Sequence, residues 1–366
     1  MANVSRVRFR DLSLDESERH EILGELDLLM QRGQFILGEE VEQFENEFAH
    51  RCQSSFAVGV SNGTGALYLA LKALGVSAGD EVITSPMSWI ATGNAILALG
   101  AQPVFVDVLD DFNIDPKSIE AAISPRTTAI LPVHFYGRMA RMDEITKIAR
   151  RHSLALVEDA AQAFGADLDG RPAGSFGDAA AFSLNPMKPL ASLGEAGAVA
   201  TSSRDVVDRV RSLRYLGTVD RERCIEPTLN FKIDTMQALI LRRRLRKVND
   251  NVAIRNQVAR RYSAELAEVV GVPPADNRAT NAYFDYTIVC EDRDRLEAAL
   301  LAEGIEVKVR HRLLLTQQPG YPNVIGSVPK AESLVQQILS LPIHEKLTDD
   351  HLEMVIRSIR RFYGAA

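Results

Sequence analysis

The 366-residue sequence predicts an α/β protein, in which a large domain with a mostly parallel sheet between helices precedes a smaller C-terminal α+β domain. Three observations carry this. Seven short apolar runs, from FAVGV at residue 56 to GAVAT at residue 197, are separated by helical stretches. Buried strands alternating with helices suit a sheet covered on both faces. After about residue 230 the alternation gives way to a long helical pattern and two further strand-like runs, YFDYTIVC and IEVKVRH.

The elements follow in order. A first helix is expected from Ser13 or Asp15 to Gly33, burying Ile22, Leu26 and Leu29. A second starts near Glu39 and sets Val41, Phe44 and Phe48 on one face. The strands FAVGV, EVIT, PVFV, AILPV, LALVE, AAAFS and GAVAT come next, with helices over ALYLALKALG and around MDEITKIARRH. DTMQALILRRRLRKVNDNVAIRNQVARRYSAELAEVV reads as one long helix, kinked or straight. A helix from Asp294 to Glu303 joins the two later strand-like runs. The last helix is capped by Thr348, with Asp349 and Asp350 in its first turn and Arg360 and Arg361 in its last, as the helix dipole favours. A domain boundary near residue 250 gives a large domain over residues 1–250 and a small one over 251–366.

Composition narrows the function. A formal net charge of -7 argues against nucleic acid as a partner, since phosphate backbones attract basic surfaces. Cys52, Cys224 and Cys290 are scattered and form no CxxC, as in a reducing compartment without structural zinc. The histidines, including His134, His311 and His344, lack metal-ligand spacing. No signal peptide or membrane span is legible, so the expected location is the cytoplasm.

Four stretches can carry chemistry. In GVSNGTGALYLAL a strand runs into a helix starting at about Thr64, offering free N–H groups and a hydroxyl to an anion; a plain tight turn explains the glycines equally well. In LALVEDAAQAFGA, Asp159 stands just past an apolar strand, where open α/β sheets bind ligands, or else caps a following helix on which Gln162 would share its face. In FSLNPMKPLASLGEAG, Lys188 lies in a proline-bounded loop between two buried strands. It is either a surface lysine or one whose burial lowers its pKa, making a nucleophilic amine able to form a Schiff base. In SPMSWIATGNAI the single tryptophan, Trp89, either stacks on a flat ligand or packs. Their order answers to one cofactor. Pyridoxal phosphate needs donors for its phosphate, a stacking face, a carboxylate for its ring nitrogen and a lysine for its aldehyde.

With these motifs, and with FILGEEVEQFENEFA, AILPVHFYGRMARMDEI, AGSFGDAAAFSLNPMK, GEAGAVAT, LNFKIDTMQA and SLPIHEKLTDD, the chain resembles the DegT/StrS family of sugar aminotransferases over nearly its whole length. The resemblance implies the fold of type I pyridoxal phosphate enzymes. It also implies that Lys188 holds the cofactor as a Schiff base and Asp159 pairs with the pyridine nitrogen. Trp89 would stack on the ring, Gln162 would lie near the phenolic oxygen, and Gly63, Thr64 and Ser183 would hold the phosphate. Asn230 would reach the phosphate of the neighbouring subunit, making a homodimer with shared sites. Two stretches depart from the family pattern: Asn230-Phe231-Lys232 stands where NxR is frequent, and VRHRLLLTQQPGY matches a histidine-tyrosine-proline-rich segment only loosely. The basic run ILRRRLRK either touches a diphosphate or is a solvated helix face, and the second is favoured.

The implied activity is amino transfer from glutamate or glutamine, through pyridoxamine phosphate, to a keto-sugar or cyclic ketone, with nucleotide-linked sugars first. Two alternatives are a pyridoxamine-dependent sugar dehydratase, whose members replace the lysine by histidine, and a catalytically silent binding protein on the same fold.

Overall fold

The computed structural model describes residues 7–321 and 323–365. Its main sheet has seven strands: β1 (Phe56–Val60), β2 (Glu81–Thr84), β3 (Gln102–Phe105), β4 (Thr127–Leu131), β5 (Ala155–Asp159), β6 (Ala179–Ser183) and β7 (Gly197–Thr201). They lie in the order β1-β7-β6-β5-β4-β2-β3. Every neighbouring pair is parallel except the two that β7 makes, so one strand of the sheet is reversed.

Side chains alternate between two apolar cores. Leu156, Phe182 and Ala198 point to one face, against Phe44 and Phe48 of the helix α2 (Glu39–Arg51). Val157, Ala181 and Val199 point to the other, where Leu67 and Leu71 of α3 (Gly63–Ala73) meet Val207 and Val210 of the helix Arg204–Arg214. Double coverage is why these strands read as continuous apolar runs. The first helix, α1 (Glu16–Arg32), starts at Asp15, whose carboxylate accepts from Glu18 N at 2.7 Å, and ends on Gly33 in the left-handed region. Ile22 and Leu29 are buried as expected, whereas Leu26 is half-buried.

A third core gathers Tyr262, Ile288, Leu296, Leu339, Val355 and Ile359 around the antiparallel pair β8 (Tyr286–Val289) and β9 (Ile338–Leu341). Val7 joins it from the other end of the chain, bridging to Ile305.

Three expectations are corrected here. The long segment from Asp234 is two helices, Thr235–Leu245 and Val248–Leu266, with Arg246 and Lys247 between them. Three-residue bonds, such as Lys247 N to Arg244 O at 3.0 Å, tighten that junction and let the chain turn without proline or glycine. IEVKVRH is not a strand; among the described residues it makes only the Ile305–Val7 bridge and the Lys308–Ser340 bridge. The basic run is a solvated face only at Arg246 and Lys247, which are exposed; Arg242, Arg243 and Arg244 are half-buried and pair with Glu47, Glu21 and Glu18 of the first two helices.

Candidate active site

Because β1, β2, β5 and β6 run in the same direction, their carboxyl ends share one edge, and the chain leaves each of them into a single cleft of about 880 Å³. Gly63, Thr64, Trp89, Asp159, Gln162, Ser183 and Lys188 all line it. Asn230 does not, although Leu229 and Phe231 on either side of it do.

At the end of β1, Asn62 caps α3 by accepting from Gly65 N at 2.7 Å. The helix begins at Gly63, one residue before the expected Thr64. The position tolerates no side chain: a Cβ at 63 would lie 2.5 Å from the Ser183 Cβ. That closeness brings the N–H groups of the helix start beside a hydroxyl, an arrangement suited to a phosphate. Gly63→Ala is therefore expected to cost roughly 1–3 kcal/mol in overpacking and to weaken retention of a phosphate-bearing cofactor; calorimetric melting and dialysis against the cofactor measure the two.

Strand alternation sends Glu158 and Asp159 to opposite faces of the sheet. Glu158 is fully buried away from the cleft, 2.9 Å from His134 Nε2, and accepts from Gly174, Phe176 and Gly177 N–H groups. Burial alone would raise its pKa, but His134 and these donors outweigh it and hold the carboxyl below its usual value. Asp159 faces the cleft. No helix follows it, so the helix-cap reading fails; its Oδ1 takes one N–H, from Ala161 at 3.2 Å, and its Oδ2 accepts from Thr92 Oγ1 at 2.7 Å. Burial raises its pKa against the pull of these bonds and of Lys188. A carboxylate in that state gains most from a cationic N–H partner. Gln162 sits in a turn, not a helix, and its Oε1 accepts from Tyr136 N at 2.8 Å.

The antiparallel pairing of β6 and β7 makes the Lys188 loop a hairpin, closed where Ser183 faces Gly197. Inside it, Asn185 Oδ1 accepts from Met187 N, and Leu184 O accepts from both the N–H and the hydroxyl of Ser192. Lys188 Nζ lies 4.5 Å from the centroid of the Phe284 ring. Burial lowers its pKa to about 8; Asp159 opposes this, while Arg10 and Arg310 add to it. Only the neutral amine is a nucleophile. Covalent capture of added pyridoxal phosphate by the cofactor-free protein should accelerate from pH 7 to pH 9 with a midpoint near 8, followed by absorbance; a rate that stays flat to pH 10 would contradict the lowered pKa.

The cleft also holds residues that the sequence did not single out as cofactor partners. Phe284, Arg310 and His311 line it from the C-terminal segment. His311 packs beside Phe135, 5.1 Å between ring centroids, and faces Trp89 edge-on at 6.4 Å. Burial lowers its pKa to about 4, Asp285 opposing and Arg310 and Lys188 assisting, so the imidazole is neutral at pH 7. Thr92 was equally unforeseen; one turn into a helix, it reads as an ordinary polar residue until the fold brings Asp159 to it.

These groups fit pyridoxal phosphate: a glycine cradle at a helix start for the phosphate, a buried carboxylate for the ring nitrogen, a depressed lysine for the aldehyde. Comparison with known proteins agrees. A Geobacillus stearothermophilus "pleiotropic regulatory protein" is 36% identical, the match covering 96% of this chain and 98% of that one. A dTDP-3-amino-3,4,6-trideoxy-alpha-D-glucose transaminase of Streptomyces venezuelae is 38% identical, over 99% and 97%. The solved structure of NtdA from Bacillus subtilis, with bound cofactor PMP, superposes with a TM-score of 0.91 at 31% identity, covering 98% of this chain and 85% of that one. The fold is that of pyridoxal phosphate-dependent aminotransferases, and residues 16–360 place the chain in the DegT/DnrJ/EryC1/StrS aminotransferase family.

Proposed function

We propose that the enzyme moves an amino group from glutamate or glutamine to a keto-sugar carried on a nucleotide. The observation that carries this is Lys188 and Asp159 converging on one cleft that is larger than the cofactor needs, in a chain 38% identical to a dTDP-sugar transaminase. When bound, pyridoxal phosphate supplies the carbonyl that takes up nitrogen and the ring that delocalises the electrons of a carbon losing its proton. The chain does the rest. Gly63, Thr64 and Ser183 hold the phosphate, Trp89 covers one ring face, and Gln162 lies beside the ring oxygen. Asp159 keeps the ring nitrogen protonated through Oδ1 or Oδ2. Lys188 Nζ anchors the cofactor and carries the proton between carbons as base and acid. The presence of this lysine argues against the dehydratase reading.

The test begins with the purified holoenzyme and L-glutamate, which should bleach its visible band. Nucleotide-linked keto-sugars should restore it. Restoration by free cyclic ketones alone would overturn the substrate class, and a band indifferent to every amino donor would favour a silent binding protein.

We further infer a cytoplasmic homodimer whose sites are shared. Asn230 is exposed, beside Leu229 at 70% and Ile225 at 67% exposure, and Phe35 and Ile36 are half-exposed nearby in sequence to the start of α2. Leu229 lines the cleft, and large apolar side chains left open on a surface are what a second copy covers. Mixing inactive Lys188→Ala with inactive Asn230→Ala, under subunit exchange, should restore activity. In the mixed dimer, the Asn230→Ala chain keeps its own Lys188 and borrows an intact Asn230, so one of two sites is whole. Confirmed exchange without recovered activity would remove Asn230 from the partner's site.

A further inference from the structure

Three buried polar side chains, Ser88, Thr92 and Asp159, form a chain of hydrogen bonds that ends on the carboxylate. Ser88 Oγ lies 2.6 Å from Thr92 Oγ1, which in turn lies 2.7 Å from Asp159 Oδ2. The direction of the chain follows from counting protons. An ionised carboxylate only accepts, so the single hydroxyl proton of Thr92 goes to Oδ2, and Ser88 must donate to Thr92. Donors in such a row polarise one another, and a low-dielectric site strengthens the last bond, the one that meets the charge.

The two carboxylate oxygens are thereby made unequal. Among the described residues Oδ1 takes only the Ala161 N–H, at 3.2 Å, while Oδ2 holds the shorter bond to a hydroxyl backed by another. Burial is the largest influence on the group and opposes its ionised form. The Thr92 hydroxyl is the strongest of those that favour it, ahead of the Ala161 N–H, Lys188 and His134. Lys188 comes from the loop between β6 and β7, and His134 from the segment after β4, so neither belongs to the helix Ile90–Leu97 that carries Thr92. That helix is pinned independently of the carboxylate. The Tyr321 hydroxyl lies 2.9 Å from Ile90 O and 3.0 Å from Asn94 Oδ1, and a Cβ at Gly93 would come within 2.5 Å of it.

Resting on the assignment of Asp159 to the ring nitrogen above, we propose that Thr92, backed by Ser88, is the positioning residue that reserves Oδ1 for the cofactor and keeps their shared proton on the ring nitrogen. Carboxylate and ring nitrogen compete for one proton. A hydroxyl donating to Oδ2 stabilises the carboxylate's charge and makes it the weaker base of the two. Without that hydroxyl the proton shifts toward Oδ1, and the ring is less able to draw electrons from a carbon losing its proton.

Thr92→Val keeps the shape and removes the donor, whereas Thr92→Ser keeps the donor. The first reading is nitrogen NMR of protein loaded with pyridoxal phosphate isotopically labelled at its ring nitrogen. Wild type and Thr92→Ser should show a protonated nitrogen at pH 7, and Thr92→Val a resonance moved toward the unprotonated position. The second reading needs no cofactor. In protein made with isotope-labelled aspartate, the Asp159 carboxyl signal, identified by its absence in Asp159→Asn, should titrate at a higher pH in Thr92→Val than in wild type. Ser88→Ala should move both signals the same way by less. Turnover should fall about 10- to 100-fold in Thr92→Val, the worth of a hydrogen bond to a charge, with KM little changed, and should return in Thr92→Ser. A Thr92→Val protein that loses turnover or melts early while both signals stay in place would make Thr92 a packing residue and overturn the proposal. Should Thr92→Val not fold, unmoved signals in Ser88→Ala overturn it equally. An unprotonated nitrogen in the wild type would remove Asp159 from the ring and fail the reading on which the proposal rests; a protonated one that Thr92→Val leaves unmoved fails the proposal alone.

Discussion

Lys188→Ala is expected to stop turnover while the protein still folds and still binds pyridoxal phosphate. Removing the amine deletes both the covalent anchor and the group proposed to carry the proton. General acid–base catalysis alone is worth about 10²- to 10⁴-fold, so the loss should exceed roughly 10³-fold. Folding should survive because the loop is held by other contacts: Asn185 and Ser192 close it from within, and Arg10 grips Met187 O. Cofactor retention should survive because the helix start at Gly63 and the carboxylate of Asp159 remain. Borohydride treatment of the wild type should fix the cofactor to the peptide carrying Lys188. Label on another lysine, or a variant with more than a few per cent of wild-type rate, would overturn the assignment.

Asp159→Asn should separate activity from stability. Turnover should fall about 10²- to 10³-fold, the range seen when one partner of a developing charge is removed. The cofactor-free protein should be no less stable for it. Burial raises the folded-state pKa of Asp159 above the ordinary aspartate value. The native state then holds its proton more tightly than the unfolded chain does, and stability falls as pH rises from that value through the raised one. At pH 7 the ionised carboxylate is therefore a burden on the empty protein, and an amide of the same shape lifts it. Melting of cofactor-free wild type and variant across pH 4 to 8 tests this: the gap should favour the variant and close toward low pH. A variant that melts well below wild type at pH 7, or one that turns over normally, would make the carboxylate structural.

Much of this was legible in the sequence, for a physical reason. Strands covered on both faces must be apolar throughout, so FAVGV or GAVAT cannot hide, and each polar turn at a strand's carboxyl end marks where the chain can meet a ligand. Asp159 and Ser183 stand out because a charge or hydroxyl closes such a run, and Lys188 because it is a charge in a short loop between two of them. Arg310 does not: it sits among His311 and Arg312 in a stretch that forms no regular strand, and only the fold brings Asp285 and Arg10 to it. The break at Arg246 was hidden for the opposite reason. No proline or glycine marks it; the weak helix formers Val248, Asn249, Asp250 and Asn251 just beyond it are its compositional trace, too slight to set an end against the strong formers on the N-terminal side.

The attachment of residues 7–10 to the C-terminal part has a consequence for how the molecule is made. Val7 pairs with Ile305, Phe9 N donates to Glu306 at 2.8 Å, and Arg10 joins the Lys188 loop to Asp285. The first of these residues to leave the ribosome must wait for partners about 300 positions later, on the order of tens of seconds at ordinary synthesis rates. Until then Val7 and Phe9 have nothing to cover them, and the lysine loop lacks one of its ties. Release from the ribosome, rather than emergence of the sheet, thus becomes the earliest moment at which the cofactor can meet a finished pocket, and a chain cut short before residue 285 would carry every strand of the seven-stranded sheet yet lack Asp285, Arg310 and His311 from the neighbourhood of Lys188.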